Sequence, residues 1–243
     1  MFLTATNLLT QIADNLSFFI VCILTVLATY TVAKLGEKFS SSKQEKKTSL
    51  AKKVTFIGIF SGIAFVLMMF DFPLWFAPNF YKIDISDVPV LVCAFTLGPV
   101  AGVLAELCKV LLELIVRGTN TAFVGEFSNF IIGCFFVVPA SIIYRFAKTK
   151  LGAIYGLLAG IIIMTTFGSL FNAFYLLPKY ALLYGMPLDT LIGMGSAINP
   201  NITDITSFIL FAVVPFNLLK GFIISIIVLF IYKKISLFIN KGV

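Results

Sequence analysis

The sequence predicts an all-α integral membrane protein, in which a bundle of six helices follows one extra N-terminal transmembrane helix. Of its 243 residues, 60% are hydrophobic and 12% are charged, whereas soluble domains have about 45–50% apolar and about 25% charged residues. The apolar runs are continuous and do not alternate, which indicates helices and not a β-barrel. No polar stretch is long enough to hold a core of its own, so a separate soluble domain is excluded.

The predicted spans follow the apolar segments of the chain. The third and fourth segments are together too short for two full crossings, which need about 40 residues. Gly98-Pro99 also interrupts them, so we expect a short, tilted hairpin at this point. The segments are residues 16–33, 53–70, 87–98, 99–116, 124–144, 152–177 and 207–232.

A polar segment separates the first span from the rest of the chain. Residues 37–52 are basic and rich in serine, which is typical of a flexible linker. We therefore predict an additional transmembrane helix in residues 1–36, a cytoplasmic linker in residues 37–52 and a six-helix membrane domain in residues 53–243.

The basic residues lie at the ends of the apolar segments and predict the orientation in the membrane. The linker, the segment after residue 144 and the C-terminal end are rich in lysine and arginine, while the outer loops hold Lys82, Arg117 and Lys179. Because cytoplasmic loops are enriched in basic residues, the N-terminus is expected outside and the C-terminus in the cytoplasm. The same distribution explains the net charge of +7 without nucleic acid as a partner.

Polar residues inside the predicted spans indicate a candidate binding site. Lys220 lies within the last apolar segment, where a cation costs about 2.5–3.5 kcal/mol on insertion scales. Asn217 lies three residues earlier and therefore on the same helical face. The alternative is that such residues bond to one another and only stabilise the bundle. Two more pairs lie in the outer halves of their spans and complete an expected outward-facing pocket: Glu126 with Asn129, and Asn172 with Tyr175.

The outer loop Asp71–Asp87 mixes aromatic with polar residues and is predicted to form a lid over this pocket. The alternative for Trp75 and Phe76 is an interfacial aromatic belt. The second outer loop, residues 178–206, contains glycines and prolines and is expected to be a mobile gate. The candidate lid residues are Leu74, Trp75, Asn79, Phe80, Tyr81, Lys82 and Asp84.

A stripe of charged residues of alternating sign runs along the fourth predicted span. The stripe consists of Glu106, Lys109, Glu113 and Arg117, and its spacings of three and four residues place it on one helical face. We interpret it as a self-neutralising ladder of ion pairs that faces protein. The alternative is a proton relay of an ion-coupled carrier.

The chain carries no recognisable chemistry for catalysis or for ATP hydrolysis. It has no histidine, which excludes His-based triads and His-ligated zinc, and so we do not expect an enzyme. It has no Gly-x-x-x-x-Gly-Lys-Ser/Thr loop, so uphill uptake needs an ion gradient or a partner. Gly58, Ser61, Gly62 and Ala64 give the second span one face of small side chains. Such a face favours close packing within the bundle or against another membrane subunit.

Four segments of the chain resemble the riboflavin-specific substrate-binding (S) component of energy-coupling-factor (ECF) transporters. They are residues 72–89, Gly98-Pro-Val-Ala-Gly102, Gly125-Glu-Phe-Ser-Asn129 and Pro215-Phe-Asn-Leu-Leu-Lys-Gly221. The resemblance implies a six-helix bundle in the bacterial cell membrane that binds riboflavin as its transported ligand and needs no cofactor. It also implies three partner subunits, a membrane coupling subunit and two cytoplasmic ATPases. Gly58 and Gly62 occupy the place where this family docks the coupling subunit.

The resemblance also assigns the candidate residues to parts of riboflavin. Because riboflavin is uncharged, a protein carboxylate must neutralise Lys220, and we expect Glu126 in this role before a loop aspartate. Two alternatives stay open, an S component for another vitamin or nucleobase and an ion-coupled secondary carrier. Asn129, Asn172, Asn217 and Lys220 are expected at the imide edge of the ring, Leu74, Trp75, Phe80 and Tyr81 over the ring, and Lys82 or Asp84 at the ribityl hydroxyls.

Overall fold

The computed structural model describes residues 16–40 and 49–240, and these form ten α-helices and one short β-hairpin. The all-α fold class is confirmed. Two π-helical segments, Asn172–Leu176 and Ile209–Val213, continue the helices that precede them. The helices are α1 (Leu16–Ser40), α2 (Leu50–Met68), α3 (Asp87–Leu97), α4 (Pro99–Arg117), α5 (Val124–Phe146), α6 (Lys150–Phe171), α7 (Leu177–Leu183), α8 (Leu188–Ser196), α9 (Ile205–Phe208) and α10 (Val214–Asn240), and the strands are β1 (Phe72–Pro73) and β2 (Lys82–Ile83).

Five helical stretches within the described residues are long and apolar enough to cross a membrane, and they coincide with five of the predicted spans. They are Phe18–Ser40, Leu50–Met68, Val124–Phe146, Lys150–Leu183 and Ile205–Ile231. The first helix runs on to Ser40, beyond its predicted end at residue 33, because the segment Ala33–Glu37 contains mostly good helix formers. Half of the predicted linker, residues 41–48, and residues 1–15 lie outside the described residues.

The third and fourth predicted segments form the expected short hairpin. α3 ends at Leu97, and Gly98 has a φ of 106°, a backbone conformation that residues with a Cβ rarely adopt. Pro99 then occupies the start of α4, where its missing N–H costs no hydrogen bond. α3 is too short to span a membrane and is buried along almost its whole length. It therefore forms the centre of the bundle.

Close helix packing holds the bundle together around α3. Phe95 of α3 stacks on Tyr144 of α5, with the ring centroids 4.4 Å apart. α6 presents Gly156 and Gly160 to α5. A Cβ at residue 156 would lie 2.5 Å from the backbone oxygen of Ala140, and a Cβ at residue 160 would lie 2.8 Å from that of Phe136. Small residues at this interface let two backbones approach closely, as is common between membrane helices.

The second outer loop, residues 178–206, is largely helical and not irregular. α7, α8 and α9 cover most of this segment. Ile192 and Ile202 are buried in one apolar cluster with Phe208, and this cluster anchors the segment on the bundle. Asp204 caps α9 through a hydrogen bond from the backbone N–H of Ser207 at 2.7 Å. Gly185 and Pro187 lie between α7 and α8, whereas Gly193 and Gly195 lie within α8.

The extra N-terminal helix packs along α5. Near one end of α1, the rings of Phe18 and Phe127 meet edge to face at 5.7 Å. Near the other end, Nε of Arg145 donates a hydrogen bond to Oγ of Ser40 at 3.2 Å. Ala33 is fully buried between these two contacts. The described part of the extra helix is therefore held to the bundle at both of its ends.

Candidate functional site

A cavity of about 170 Å³ lies between the β-hairpin, α5, the α6–α7 junction and α10. The three helices that supplied the predicted polar pairs therefore meet at one place. Some predicted site residues line the cavity and others do not. Those that line it are Phe80, Tyr81, Lys82, Asp84, Asn129, Asn172, Asn217 and Lys220, and those that do not are Leu74, Trp75, Asn79, Glu126 and Tyr175.

The β-hairpin closes one side of the cavity. Its strands pair antiparallel, with Pro73 opposite Lys82. Because side chains alternate along an extended chain, Tyr81 and Ile83 are buried while Lys82 is exposed. The Tyr81 hydroxyl donates a hydrogen bond to Oδ1 of Asn172 at 2.6 Å. This bond ties the hairpin to the α6–α7 junction across the cavity.

Three predicted lid residues do not line the cavity, which corrects the predicted lid. Leu74 is buried in the apolar cluster of Phe208, and Asn79 is exposed. Trp75 is 82% exposed and contacts Phe76 edge to face at 5.5 Å. The backbone turns at Leu74–Ala77 and again at Pro78–Tyr81. Of the side chains between the two strands, only Phe80 and Tyr81 line the cavity. The exposure of Trp75 agrees with the alternative of an interfacial aromatic residue.

The π-helical segment Asn172–Leu176 separates a predicted pair of site residues. Asn172 is buried at the cavity, and its Nδ2 donates a hydrogen bond to the backbone oxygen of Gly168 at 2.7 Å. Tyr175 instead stacks on Phe171, with the ring centroids 5.1 Å apart. The i→i+5 bonds of a π-turn make it wider than an α-turn, so residues three apart no longer share a face. The prediction that Tyr175 joins the site is therefore corrected.

α10 contributes Asn217 and Lys220 to the cavity from one helical face. A Cβ at residue 168 would lie 3.1 Å from Nδ2 of Asn217, so Gly168 leaves the space that this amide occupies. The backbone of α6 thus approaches α10 closely at the depth of the cavity. Both amides of this wall, Asn172 and Asn217, have side chains that are more than nine-tenths buried.

Two aspartates neutralise Lys220. Its Nζ donates a hydrogen bond to Oδ2 of Asp84 at 3.2 Å and lies 3.3 Å from Oδ2 of Asp87. An ammonium group has three N–H donors, so at least one remains for the cavity that Lys220 lines. Asp87 was missed from the sequence as a site residue. Its signal was a carboxylate at the start of a buried apolar helix, where an ionisable group is costly unless it is paired.

Glu126 does not pair with Lys220, which corrects the expected counter-ion. Its Oε2 accepts hydrogen bonds from the hydroxyls of Thr119 and Thr121, at 3.1 and 3.2 Å. Glu126 lies in the first turn of α5, where the free N–H groups and the helix dipole favour a negative charge. This local satisfaction explains why the carboxylate does not reach across the site.

The Asp84 carboxyl belongs to the segment before α3 and not to a spanning helix. Burial is the largest single influence and raises the pKa of this carboxyl, but the Lys220 and Lys109 ammonium groups and the hydrogen bond from Ser86 together lower it by more. Its pKa therefore lies below the ordinary value of 3.8. The group is ionised at neutral pH and can hold the lysine.

The charged stripe of α4 is divided into two pairs, which supports the ion-pair interpretation but not a continuous ladder. The inner pair is Glu106 with Lys109, at 2.6 Å, and both side chains are almost inaccessible to solvent. The outer pair is Glu113 with Arg117, at 3.8 Å, and it is partly exposed. Each cation also binds an aspartate from another segment, Lys109 with Asp87 at 2.8 Å and Arg117 with Asp71 at 3.4 Å.

Sequence reasoning missed about half of the cavity wall. On α5, the residues that line the cavity repeat at helical spacing around Asn129, and on the α6–α7 stretch they follow Asn172 at intervals of four. This periodicity was a usable signal. The missed residues are Met68, Asp71, Glu113, Gly125, Ser128, Ile132, Gly133, Leu176, Tyr180 and Phe216.

Gly58 and Gly62 lie on the outer surface of α2. A Cβ at either position would meet nothing within 4 Å in the described residues. Ser61 and Ala64, by contrast, are buried against the bundle. The four small residues therefore occupy two faces and not one. Of the two packing alternatives, the open space beside both glycines in the described residues favours contact with another membrane subunit.

Comparison with known proteins gives a consistent result. The family model "ECF transporter, substrate-specific component" matches residues 52–232. The riboflavin transporter RibU of Staphylococcus aureus is 34% identical over 194 residues, which covers 78% of this chain and 93% of that protein. The riboflavin transporter FmnP of Bacillus subtilis is 31% identical over 191 residues, with coverages of 78% and 95%.

A solved structure, described as the S component of a bacterial ECF transporter, superposes with a TM-score of 0.61 at 34% identity. It covers 78% of this chain and 98% of the other chain. The family match begins after α1, so the extra helix lies outside it. On the combined basis of the family model, the relatives and the shared fold, the chain belongs to the substrate-specific (S) components of ECF transporters.

Proposed function

We propose that this S component binds riboflavin and takes it up into a bacterial cell, as the substrate-specific subunit of an ECF transporter. The observation that carries the proposal is a buried polar cavity whose two cations are both paired with carboxylates. Lys220 pairs with Asp84 and Asp87, and Lys82 pairs with Asp71 at 3.4 Å. Such a wall suits a polar but uncharged ligand. The relatives named riboflavin transporters support the same ligand.

The cavity offers groups that match riboflavin chemically. The flavin ring has an imide edge with donors and acceptors, and amides such as Asn129 and Asn217 supply both. Lys220 supplies an N–H donor. Tyr180 and Phe216 supply flat apolar surface for the ring. The phosphorylated forms of riboflavin would need an unpaired cation, so we infer that the unphosphorylated vitamin is preferred.

The site must widen to admit riboflavin. Pockets for drug-sized ligands have volumes of about 300–1,000 Å³, and the cavity of about 170 Å³ is smaller. Tyr81, next to strand β2, contacts the opposite wall through its ring, which lies near those of Phe208 and Phe216, and through its hydrogen bond to Asn172. We propose that this bond breaks when the ligand enters.

Transport energy comes from partner subunits in this family. S components work with a membrane coupling subunit and ATPase subunits, and we propose two ATPases per complex. We further propose that the coupling subunit docks on α2 at Gly58 and Gly62, which are open on the surface of the helix. Small residues at such a face let another membrane helix approach closely.

We propose that the cavity opens to the outside, with the N-terminus outside and the C-terminus in the cytoplasm. The excess of lysine and arginine in the predicted cytoplasmic segments supports this orientation. Reporter fusions at the two termini test it. An N-terminal reporter that is active only in the cytoplasm should stay inactive, and activity there would reverse the assignment.

The absorbance spectrum of the detergent-purified protein, followed by titration with riboflavin, tests the ligand. We expect flavin absorbance that co-purifies, or saturable binding at one site per chain. If the protein does not bind riboflavin but binds another vitamin or a nucleobase, the chain is an S component of different specificity. Uptake that persists without ATPase partners would favour an ion-coupled carrier.

Leucine substitutions at Gly58 and Gly62 test the docking face. Gly62→Leu is expected to leave riboflavin binding by the isolated subunit unchanged, because the site lies elsewhere, and to abolish uptake in cells with the partner subunits. Leu158→Phe, on an exposed surface of α6, is the matched control and should leave both unchanged. Normal uptake by Gly62→Leu and Gly58→Leu would exclude this face.

A further inference from the structure

A second buried lysine lies behind the cavity wall. Lys109 of α4 is 2% exposed and does not line the cavity. Its Nζ donates hydrogen bonds to Oγ of Ser86 at 3.1 Å and to Oδ1 of Asp87 at 2.8 Å. It also lies 2.6 Å from Oε1 of Glu106. Three side-chain oxygens therefore surround the Lys109 ammonium.

Lys109 fixes the turn from Asp84 to Asp87. Ser86 stands directly before α3, where a serine hydroxyl ordinarily accepts a bond from the first turn of the helix. Ser49 and Thr149 do this at the starts of α2 and α6. The Ser86 hydroxyl makes no such cap and accepts from Lys109 instead. The turn is therefore held by a lysine from another helix.

Each aspartate of this turn uses one carboxylate oxygen to fix the turn and the other to hold Lys220. Oδ1 of Asp84 accepts the backbone N–H of Ser86 at 2.8 Å, and Oδ1 of Asp87 accepts from Lys109. The other oxygen of each carboxylate, Oδ2, faces Lys220. The bonds to the two Oδ1 atoms thus set the direction in which the two Oδ2 atoms hold the Lys220 ammonium.

Charge balance makes this arrangement depend on Lys109. Asp84, Asp87 and Glu106 bring three carboxylates together, against two ammonium groups. Without Lys109, the three carboxylates share Lys220 alone. A buried charge that loses its partner is strongly destabilised and rearranges or becomes neutral. Lys220 would then be drawn away from the cavity, or its aspartates would lose their alignment.

We propose that Lys109 is the positioning residue of the ligand site: it fixes the Asp84–Asp87 turn, and through this turn it holds Lys220 at the cavity wall. The inference rests on the proposed function, because Lys220 is taken as a donor to riboflavin. Lys109 itself does not touch the ligand.

A double-mutant cycle on riboflavin affinity tests the proposal. The dissociation constant is measured by flavin titration for the wild type, Lys109→Met, Lys220→Met and the double variant, each on the monodisperse fraction. Lys109→Met should weaken binding at least about tenfold in the wild-type background, the size of a charge-assisted hydrogen bond. In the Lys220→Met background it should change affinity by less than about twofold, because residues that act through one another are not additive.

The absorbance of the bound flavin gives a second readout that a purely structural role would not move. An ammonium at the ring edge shifts the flavin bands, so the bound spectrum of Lys109→Met should match that of Lys220→Met. Lys150→Met, which removes an exposed cation at the start of α6 away from the cavity wall, is the control and should keep the wild-type spectrum and affinity. An equal loss from Lys109→Met in both backgrounds would overturn the proposal.

Ser86→Ala keeps the proposal testable if Lys109→Met does not fold. It removes the hydroxyl acceptor and leaves every charge in place. We expect a loss of affinity of about threefold to tenfold with Lys220 present, and none in the Lys220→Met background. Wild-type protein that fails to bind riboflavin would contradict the proposed function. Wild-type binding with an additive cycle would contradict only the role of Lys109.

Discussion

The two halves of the charged stripe on α4 each contain one glutamate and one basic residue, but their surroundings differ. In the inner half, Glu106 and Lys109 are at most 2% exposed, and Lys109 also pairs with Asp87 at the centre of the bundle. In the outer half, Arg117 is 33% exposed and binds Glu113 and Asp71 at distances of 3.4–3.8 Å. The two pairs are equally visible in the sequence, yet the energetic consequences of breaking them differ greatly.

The difference shows that burial, and not the charge pattern, decides what an ion pair does. Removal of one partner of a buried pair leaves an uncompensated charge and costs about 3–5 kcal/mol, whereas an exposed pair is worth about 0.2–1 kcal/mol. The inner half is therefore a fixed support of the cavity wall. In the outer half, Arg117 links the C-terminal end of α4 only weakly to Asp71, which precedes the β-hairpin. Three variants test this contrast.

Lys109→Met is expected to have the largest effect on stability. It removes the cation that three buried oxygens surround, and we expect the free energy of unfolding in detergent to fall by about 3–5 kcal/mol. Denaturant titration of the ligand-free protein measures this loss. A loss below about 1 kcal/mol would place the inner pair in the same class as the exposed one.

Gly133→Ala is expected to have an intermediate effect. A Cβ at residue 133 would overlap Oε1 of Glu106, which is buried and paired with Lys109 and so cannot move freely. Overpacking of this kind costs about 1–3 kcal/mol. Gly62→Ala is the matched control on an open helix surface, where alanine should stabilise by up to about 1 kcal/mol. The same denaturant titration applies, and equal effects at both glycines would contradict the close contact.

Arg117→Met is expected to have the smallest effect, a loss of about 0.2–1 kcal/mol. Because the Arg117 side chain is partly exposed, its contribution should also shrink as the salt concentration rises. Unfolding measured at low and high salt separates the two halves of the stripe. A salt-independent loss as large as that of Lys109→Met would show that the outer pair is buried in solution.

The sequence alone predicted those parts of the molecule that depend on local patterns. The apolar segments predicted the long helices, and Gly98-Pro99 predicted the break between α3 and α4. A polar residue in an apolar span is costly unless it faces a site or a partner. This rule predicted a shared pocket for Asn172, Asn217 and Lys220, and all three line the cavity.

The remaining features of the site depend on local detail or on distant contacts. Tyr175 was misplaced because a π-turn changes the helical phase, and Glu126 because nearby threonines satisfy it. The partner of Lys220 was misassigned because Asp84 lies 136 residues earlier in the chain. Pattern reasoning finds that a buried charge needs a partner, but only the packed helices identify which carboxylate supplies it.

The affinity of Lys220→Met for riboflavin tests the central claim most directly. The claim is that a lysine neutralised by two aspartates keeps one N–H donor for an uncharged ligand. Loss of a hydrogen bond from a charged donor costs about 1.5–3 kcal/mol, so the account predicts that riboflavin binds about tenfold to a hundredfold more weakly while the protein still inserts and purifies as a monodisperse species. Unchanged affinity in a folded Lys220→Met protein would contradict the account.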